Sequence, residues 1–161
     1  MRIVRTLLRW VLGLLLIWPF FDKLFGLGYT TAPEAAWTRG GSPTAGFLQF
    51  GSTGPFSQIY NSIGGTSVVD WLFMLCLLFV GMALILGIGL RIAAIAGGLL
   101  MLLMWSAVLP KEHNFFLMDE HLVYLLILQI IGFGFKREEQ WAGLGKWWSN
   151  TWLVKKAPFL K

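Results

Sequence analysis

Charged residues are scarce in this chain, and so are the residues of redox and metal chemistry. Only 13% of the 161 residues are charged, whereas 57% are hydrophobic. A soluble domain of this length leaves too much of its surface in water to hide so many apolar side chains. We therefore expect the lipid bilayer to be the solvent for much of the chain. The length allows about four helical spans of about 20 residues each.

The scarcity of cysteine and histidine excludes several kinds of redox centre. The single cysteine, Cys76, cannot form an intramolecular disulfide or a CxxC pair. Axial haem ligands come from facing helices, but His113 and His121 belong to one segment. There is no glycine fingerprint for flavin or dinucleotide binding. The acids beside His121 do not have an established metal-ligand spacing. The sequence therefore predicts no haem, flavin or metal.

Four apolar segments predict four membrane helices. The first has a basic start like that of a signal peptide, but no small-residue cleavage site follows, so we interpret it as a retained helix. The short turn GIGLR makes the second and third helices antiparallel neighbours, and small residues around it permit close approach in lipid. The predicted fold is all-α, an integral membrane four-helix bundle over residues 1–135, with helices at about 6–27, 68–88, 91–109 and 118–135.

A long connection, residues 28–66, follows the first predicted span. It is rich in Gly, Ser, Thr and Pro, which predicts a loop on the outer side, with room for a short helix after Pro55. Loops of this length tend to be functional or disordered. The scattered aromatic residues favour packing against the helices.

The C-terminal tail, residues 136–161, is rich in tryptophan and lysine. Its pattern predicts a cytoplasmic amphipathic helix in the headgroup region. A disordered basic tail is the alternative, although tryptophan is unfavourable for disorder. The residues at helical spacing are Trp141, Leu144, Trp148 and Trp152.

Lysine and arginine are unevenly distributed, and this sets the predicted orientation. With both termini in the cytoplasm, only Lys23, Arg39 and Lys111 of the 13 basic residues lie outside. This is the bias of the positive-inside rule. The net charge of +5 therefore indicates topology rather than nucleic-acid binding. The inner basic residues are Arg2, Arg5, Arg9, Arg91, Lys136, Arg137, Lys146, Lys155, Lys156 and Lys161.

Two clusters of ionisable residues have a similar predicted depth. In a helix, Asp22 lies about 20 Å from Arg9, and His121 lies about 22 Å from Lys136. A hydrocarbon core is about 30 Å thick, so both clusters should lie below the outer headgroups. Ionisable groups at that depth usually face a bundle interior, a partner charge or water. We therefore predict a polar pocket between the first and fourth helices, formed by Asp22, Lys23, Asp119, Glu120 and His121.

A simpler interpretation of the same residues stays open. Asp119 and Glu120 suit a helix start, where acids complement exposed N–H groups and the helix dipole. Lys23 can extend to the interface. In this interpretation the acids cap helices and bind no ligand.

Three stretches together resemble the DoxX/DoxD-like family of four-helix bacterial membrane proteins. They are LLRWVLGLLLIWPFFDKLFGLG, GMALILGIGLRIAAIAGGLLMLLM and HNFFLMDEHLVYLLIL. The resemblance implies a bacterial inner-membrane protein linked to a thiosulfate:quinone oxidoreductase, in which such a chain is one of two subunits. Of the polar positions within the matching stretches, the resemblance is carried over only to Lys23, Asp119, Glu120 and His121.

Quinone reduction requires an apolar slot open to lipid, hydrogen bonds to two carbonyls and a proton source. His121 with Asp119 or Glu120 would manage protons, whereas Lys23 or Tyr124 would bond a carbonyl. The other residues assigned to the quinone site are Asp22, Trp18, Phe21 and Trp105.

Two functions remain open from the sequence. One is a quinone-binding subunit of an oxidoreductase. The other is a non-catalytic accessory or assembly subunit of a respiratory or envelope complex, in contact with other membrane subunits or with copies of itself. A small-molecule carrier is disfavoured, because no span shows the broken-helix pairing found in many transporters.

Overall fold

The computed structural model describes residues 2–109, 118–134, 142–157 and 159. Within these residues the chain forms seven α-helices and no named β-strand. The helices are α1 (Arg2–Phe25), α2 (Ser57–Ile63), α3 (Ser67–Leu86), α4 (Leu90–Ala107), α5 (Glu120–Phe133), α6 (Gly145–Asn150) and α7 (Trp152–Lys156).

Three of these helices, α1, α3 and α4, are long and apolar enough to cross a membrane. This confirms that the chain is a helical membrane protein whose apolar helices contact lipid. The predicted fourth span corresponds to α5, which is also apolar but has only 14 residues, or about 21 Å of helix. Its predicted first residues, 118 and 119, precede the helix, and its predicted last residue, 135, lies outside the described residues.

The three long helices and α5 pack as successive antiparallel neighbours. α1 packs along α3, α3 along α4, and α4 most extensively along α5, while α1 and α5 touch less. The core between them is aliphatic and is formed by residues such as Leu16, Met74, Leu84 and Leu128. On the outward faces large apolar side chains stay exposed, as expected of surfaces that contact lipid tails.

Small residues set the distances between neighbouring helices. A Cβ atom added at Gly132 of α5 would lie 2.4 Å from the Cβ of Ala94. One added at Gly81 of α3 would lie 3.2 Å from the carbonyl oxygen of Gly13. The backbones therefore approach as closely as the small residues in the sequence led us to expect.

One end of the molecule, which we call the Arg9 end, is closed by the C-terminal tail. The N–H of Leu144 donates to the carbonyl oxygen of Leu86, at the end of α3, over 2.8 Å. Arg9 donates from Nη2 to the carbonyl oxygen of Ala142 over 2.6 Å. The tail forms two short helices that meet at Thr151, whose ψ of 147° interrupts helical geometry. The predicted single amphipathic helix is therefore divided, and Trp141 lies outside the described residues.

The depth argument used Arg9 as a residue at the membrane surface. Arg9 is only 3% exposed, because it lies under the tail. The predicted depth of Asp22 is therefore counted from a buried residue and stays a prediction. Lys136, the other residue used for depth, lies outside the described residues.

The opposite end, which we call the Asp22 end, is covered by the long connection between α1 and α3. Thr38 donates to the carbonyl oxygen of Leu24 over 2.9 Å, and the rings of Trp37 and Trp71 pack edge to face at 4.7 Å. The connection is thus folded onto the helices. Its one α-helix, α2, lies where a short helix was expected after Pro55.

Candidate functional site

The antiparallel packing brings three buried aspartates to the Asp22 end. Asp22 stands near the end of α1, Asp70 in the first turns of α3, and Asp119 directly before α5. Their exposed fractions are 0%, 5% and 9%. Because buried carboxylates need hydrogen-bond donors, the donors around each one define what it can do.

Asp119 is bonded to the beginning of α5. Its backbone is extended, and Oδ1 accepts the N–H of His121 over 2.9 Å, which makes it an N-cap. Its Oδ2 lies 2.9 Å from Nδ1 of the same histidine. The side chains of His121 and Asp119 are 12% and 2% exposed. The helix-cap interpretation is therefore correct for Asp119, which in addition holds the imidazole.

This geometry determines how His121 can act. In the tautomer with the hydrogen on Nδ1, the imidazole donates to the carboxylate of Asp119. The other nitrogen, Nε2, can then accept a proton and donate it again. The pair can thus transfer a proton at Nε2.

Asp22 has different partners, all in the turn that follows α1. Its carboxylate accepts the N–H groups of Tyr29 and Thr30, each over 3.0 Å, and the hydroxyl of Thr30 over 2.8 Å. Lys23 lies 3.5 Å from the same hydroxyl and is half-buried. These contacts fix the chain as it turns away from the helix.

The predicted pocket residues are thus arranged as two bonded groups at one end of the molecule. Asp22 and Lys23 are bonded to Thr30, while Asp119 is bonded to His121. Glu120 is exposed at the first position of α5. A ligand that joins the two groups stays a prediction.

The aromatic residues assigned to the site lie on different surfaces. Tyr124 is half-buried and packs against the aliphatic core. Trp18 is 50% exposed on the outward face of α1, and Phe21 is 41% exposed on the same helix. Trp105 is half-buried in the last turn of α4. His113 lies outside the described residues.

Two polar groups were missed in the sequence. Asp70 accepts hydrogen bonds from the hydroxyls of Ser42 and Thr44, which lie 28 and 26 residues earlier in the chain. Gln129 donates to the carbonyl oxygen of Ala94 over 2.9 Å inside the α4–α5 interface. A lone amide in an apolar helix was the available signal for Gln129. For Asp70 the only signal was its position in the first turns of a helix.

No group of three or more His, Cys, Asp or Glu side chains that could hold a metal ion is present among the described residues. Comparison with family models, curated proteins and solved structures finds no match to the chain. The fold and composition define the class, a helical membrane protein. The DoxX/DoxD-like resemblance rests on the three stretches quoted above.

Proposed function

We propose that this chain is the membrane subunit of a quinone-linked oxidoreductase, thiosulfate:quinone-like by resemblance, with its quinone and proton site at the Asp22 end. The observation that carries the proposal is the Asp119–His121 pair, a buried carboxylate bonded to a less buried imidazole. Such a pair is suited to deliver protons to a carbonyl oxygen.

In this proposal the chain is a four-helix bundle in a bacterial inner membrane, with both termini cytoplasmic and α5 as the fourth span. The excess of inner basic residues supports the orientation. Since α5 is about 21 Å long and the hydrocarbon core is about 30 Å thick, at least one end of α5 lies at the depth of the acyl chains. A quinone head group reaches that depth from the lipid.

The chemistry requires two electrons and two protons for each quinone that becomes a quinol. In this proposal His121 would donate one proton from Nε2 to a carbonyl oxygen, would be reprotonated through the exposed Glu120, and would donate the second proton in the same way. Tyr124 is three residues further along α5, on the same helix face, and bonds the second carbonyl. The electrons come from a partner subunit, which oxidises the electron donor.

In this proposal the quinone docks between α1 and α5. Trp18 and Phe21 are exposed on α1 and would lie beside an isoprenoid tail that enters from the lipid. Lys23 and Asp22, bonded to Thr30, form the α1 side of the site, and Trp105 lies at the same end of α4.

The test is quinone-linked turnover of the complex that copurifies with this chain, measured in nanodiscs. The double substitution His121→Gln and Glu120→Gln should abolish turnover, because it removes the proton-transferring groups. Asp70→Asn is the matched control, since Asp70 is a buried aspartate at the same end whose partners are hydroxyls and one N–H. Unchanged turnover in the double variant would refute the proposal.

An accessory or assembly subunit is the second candidate. The observation that favours it is the capping role of Asp119, which accounts for a buried carboxylate without a ligand. The exposed Trp147 and Trp152 of the tail are available for protein contacts in that case. A stable complex whose activity survives the His121 and Glu120 substitutions would establish this role.

A further inference from the structure

Residues 46–63, which we call the Phe50 segment, turn large apolar side chains away from the protein. The segment consists of a π-helical turn, Gly46–Gly51, a 3-10 turn, Gly54–Phe56, and α2. Phe50 is 85% exposed, Ile59 59% and Phe56 46%. Contiguous exposed apolar surface usually marks a contact with lipid or with another protein.

Several polar side chains of this segment bond backbone oxygens of the segment or of Gly64, which directly follows it. Gln49 donates to the carbonyl oxygen of Gly64 over 2.8 Å, and Ser52 donates to that of Leu48 over 2.7 Å. When the side-chain amide of Asn61 is oriented to satisfy its hydrogen-bond partners, its nitrogen donates to the same Leu48 oxygen over 2.6 Å. An arrangement with apolar groups outward and polar groups satisfied within is what a bilayer requires.

The sequence around the segment lacks charge altogether. Between Gly40 and Val69 there is no Asp, Glu, Lys or Arg. A connection of this length that lay in water would gain solubility from charged side chains, and the segment has no charged side chain whose burial in an apolar medium would be costly.

Contacts with α4 place the segment beside the last turns of a membrane helix. Thr53 donates from its N–H to the carbonyl oxygen of Ala107 over 2.7 Å, and the hydroxyl of Tyr60 bonds the carbonyl oxygen of Leu103 over 3.1 Å. Leu103 lies four residues before the end of α4, or about 6 Å below it. With 18 residues, α4 is about 27 Å long, which is shorter than a hydrocarbon core of about 30 Å, so its two ends cannot both lie outside the core.

The segment also adjoins an exposed apolar part of a helix that is long and apolar enough to cross a membrane. Leu99, Leu102 and Leu103 are 56%, 44% and 47% exposed on α4, a helix apolar enough to span the membrane. Tyr60 is bonded to this part of α4, one residue from Ile59.

We propose that the Phe50 segment is inserted in the membrane, and that Phe50, Phe56 and Ile59 bind phospholipid acyl chains in the leaflet at the Asp22 end. The segment is then an interfacial element beside the spans. This inference does not depend on the quinone function, because it uses none of the residues assigned to that site.

The experiment measures the depth of single nitroxide labels in nanodiscs that hold one copy of the full chain in phosphatidylcholine and phosphatidylglycerol. Labels are introduced by Phe50→Cys and by Ile59→Cys in a Cys76→Ser background. Glu34→Cys, at an exposed charged position of the same connection, is the matched control. We expect the ratio of oxygen to nickel-chelate collision rates to be several-fold higher at positions 50 and 59 than at position 34.

Two results would overturn the inference. One is a collision ratio at positions 50 and 59 equal to that at position 34, which would place the segment in water. The other is a label that is accessible to nickel in discs with one copy of the chain but shows spin–spin broadening in discs with two copies. That result would mean that the segment contacts a second copy of the chain rather than lipid. As a further check, Phe50→Asp should raise the nickel accessibility of the label at position 59, whereas Phe50→Leu should leave it unchanged.

Discussion

Asp22 and Asp119 are buried carboxylates at the same end of the molecule, but they have different donors. Asp22 accepts from two N–H groups and one hydroxyl of the following turn, none of which transfers protons near neutral pH. Asp119 accepts from an N–H group and an imidazole. Asp22 links α1 to the loop that follows it, whereas Asp119 can take part in proton transfer. The donors, rather than burial or charge, therefore distinguish a candidate site from a structural contact.

Asp70 resembles Asp22, because its hydrogen-bond donors are also hydroxyl and N–H groups of the long connection. It accepts from Ser42 Oγ over 2.8 Å, from the hydroxyl of Thr44 and from the N–H of Thr44 over 3.3 Å. Both aspartates fasten the long connection to a membrane helix. The substitutions below separate these ties from Asp119.

The largest expected effect is that of Asp22→Ala. The substitution leaves the N–H groups of Tyr29 and Thr30 without their acceptor, and hydrogen bonds to a charged group contribute about 1.5–3 kcal/mol each. We expect the free energy of unfolding, measured by denaturant titration in detergent, to fall by about 3 kcal/mol. Asp22→Asn, which keeps one carbonyl oxygen, should lose less. If the alanine variant were as stable as the natural chain, Asp22 would not stabilise the connection between α1 and the following loop.

Asp70→Ala should have a smaller effect, about 2 kcal/mol on the same measurement, because its main donors are two hydroxyls that can turn to other partners. The loss should be concentrated in the connection, so hydrogen exchange at the N–H of Thr44 should accelerate more than exchange within α4. Ser42→Ala is the control and should lose about 1 kcal/mol. Uniform acceleration in both places would argue against a local tie.

Two substitutions of Asp119 should distinguish its effect on stability from its effect on turnover. Replacing an N-cap aspartate with alanine costs about 1 kcal/mol, whereas asparagine caps equally well. Asp119→Asn should therefore keep the free energy of unfolding of the natural chain and still lower quinone-linked turnover, since an amide can donate to Nδ1 as well as accept from it and so no longer selects one tautomer of His121. If Asp119→Asn lowered stability as much as Asp119→Ala and left turnover intact, Asp119 would belong with Asp22.

A small effect on stability is expected for His121→Gln. The N-cap bond uses the backbone N–H of residue 121, which the substitution retains. The free energy of unfolding should fall by no more than about 1 kcal/mol, because the amide of glutamine can still donate to the carboxylate of Asp119. The same variant should lose quinone-linked turnover. A loss of stability as large as that of Asp22→Ala would make His121 a structural residue.

The bounds of the apolar helices could be predicted within a few residues, because a membrane span depends on the hydropathy of consecutive side chains. The segments predicted at 68–88 and 91–109 are Ser67–Leu86 and Leu90–Ala107. The start of α5 was predicted two residues early, since Asp119 takes the extended geometry of a cap with φ of −146°. Backbone geometry at a helix end depends on side-chain bonds that hydropathy does not record.

The partners of the polar residues were beyond sequence reasoning. Nothing in local pattern joins Asp70 to Ser42, 28 residues away, or Arg9 to Ala142, 133 residues away. Arg9 was consequently taken as a surface residue, although the tail buries it. The division of the tail at Thr151 was missed for the same reason, since its regular spacing of apolar residues suits one continuous helix.

Composition alone determined that this chain lies in a membrane, because the transfer of apolar side chains from water to lipid adds up residue by residue and needs no knowledge of neighbours. Only the tertiary structure decided which aspartate fastens a loop and which holds a histidine. A hydrogen bond exists when donor and acceptor meet within about 3 Å, and the folded positions of distant residues set that distance.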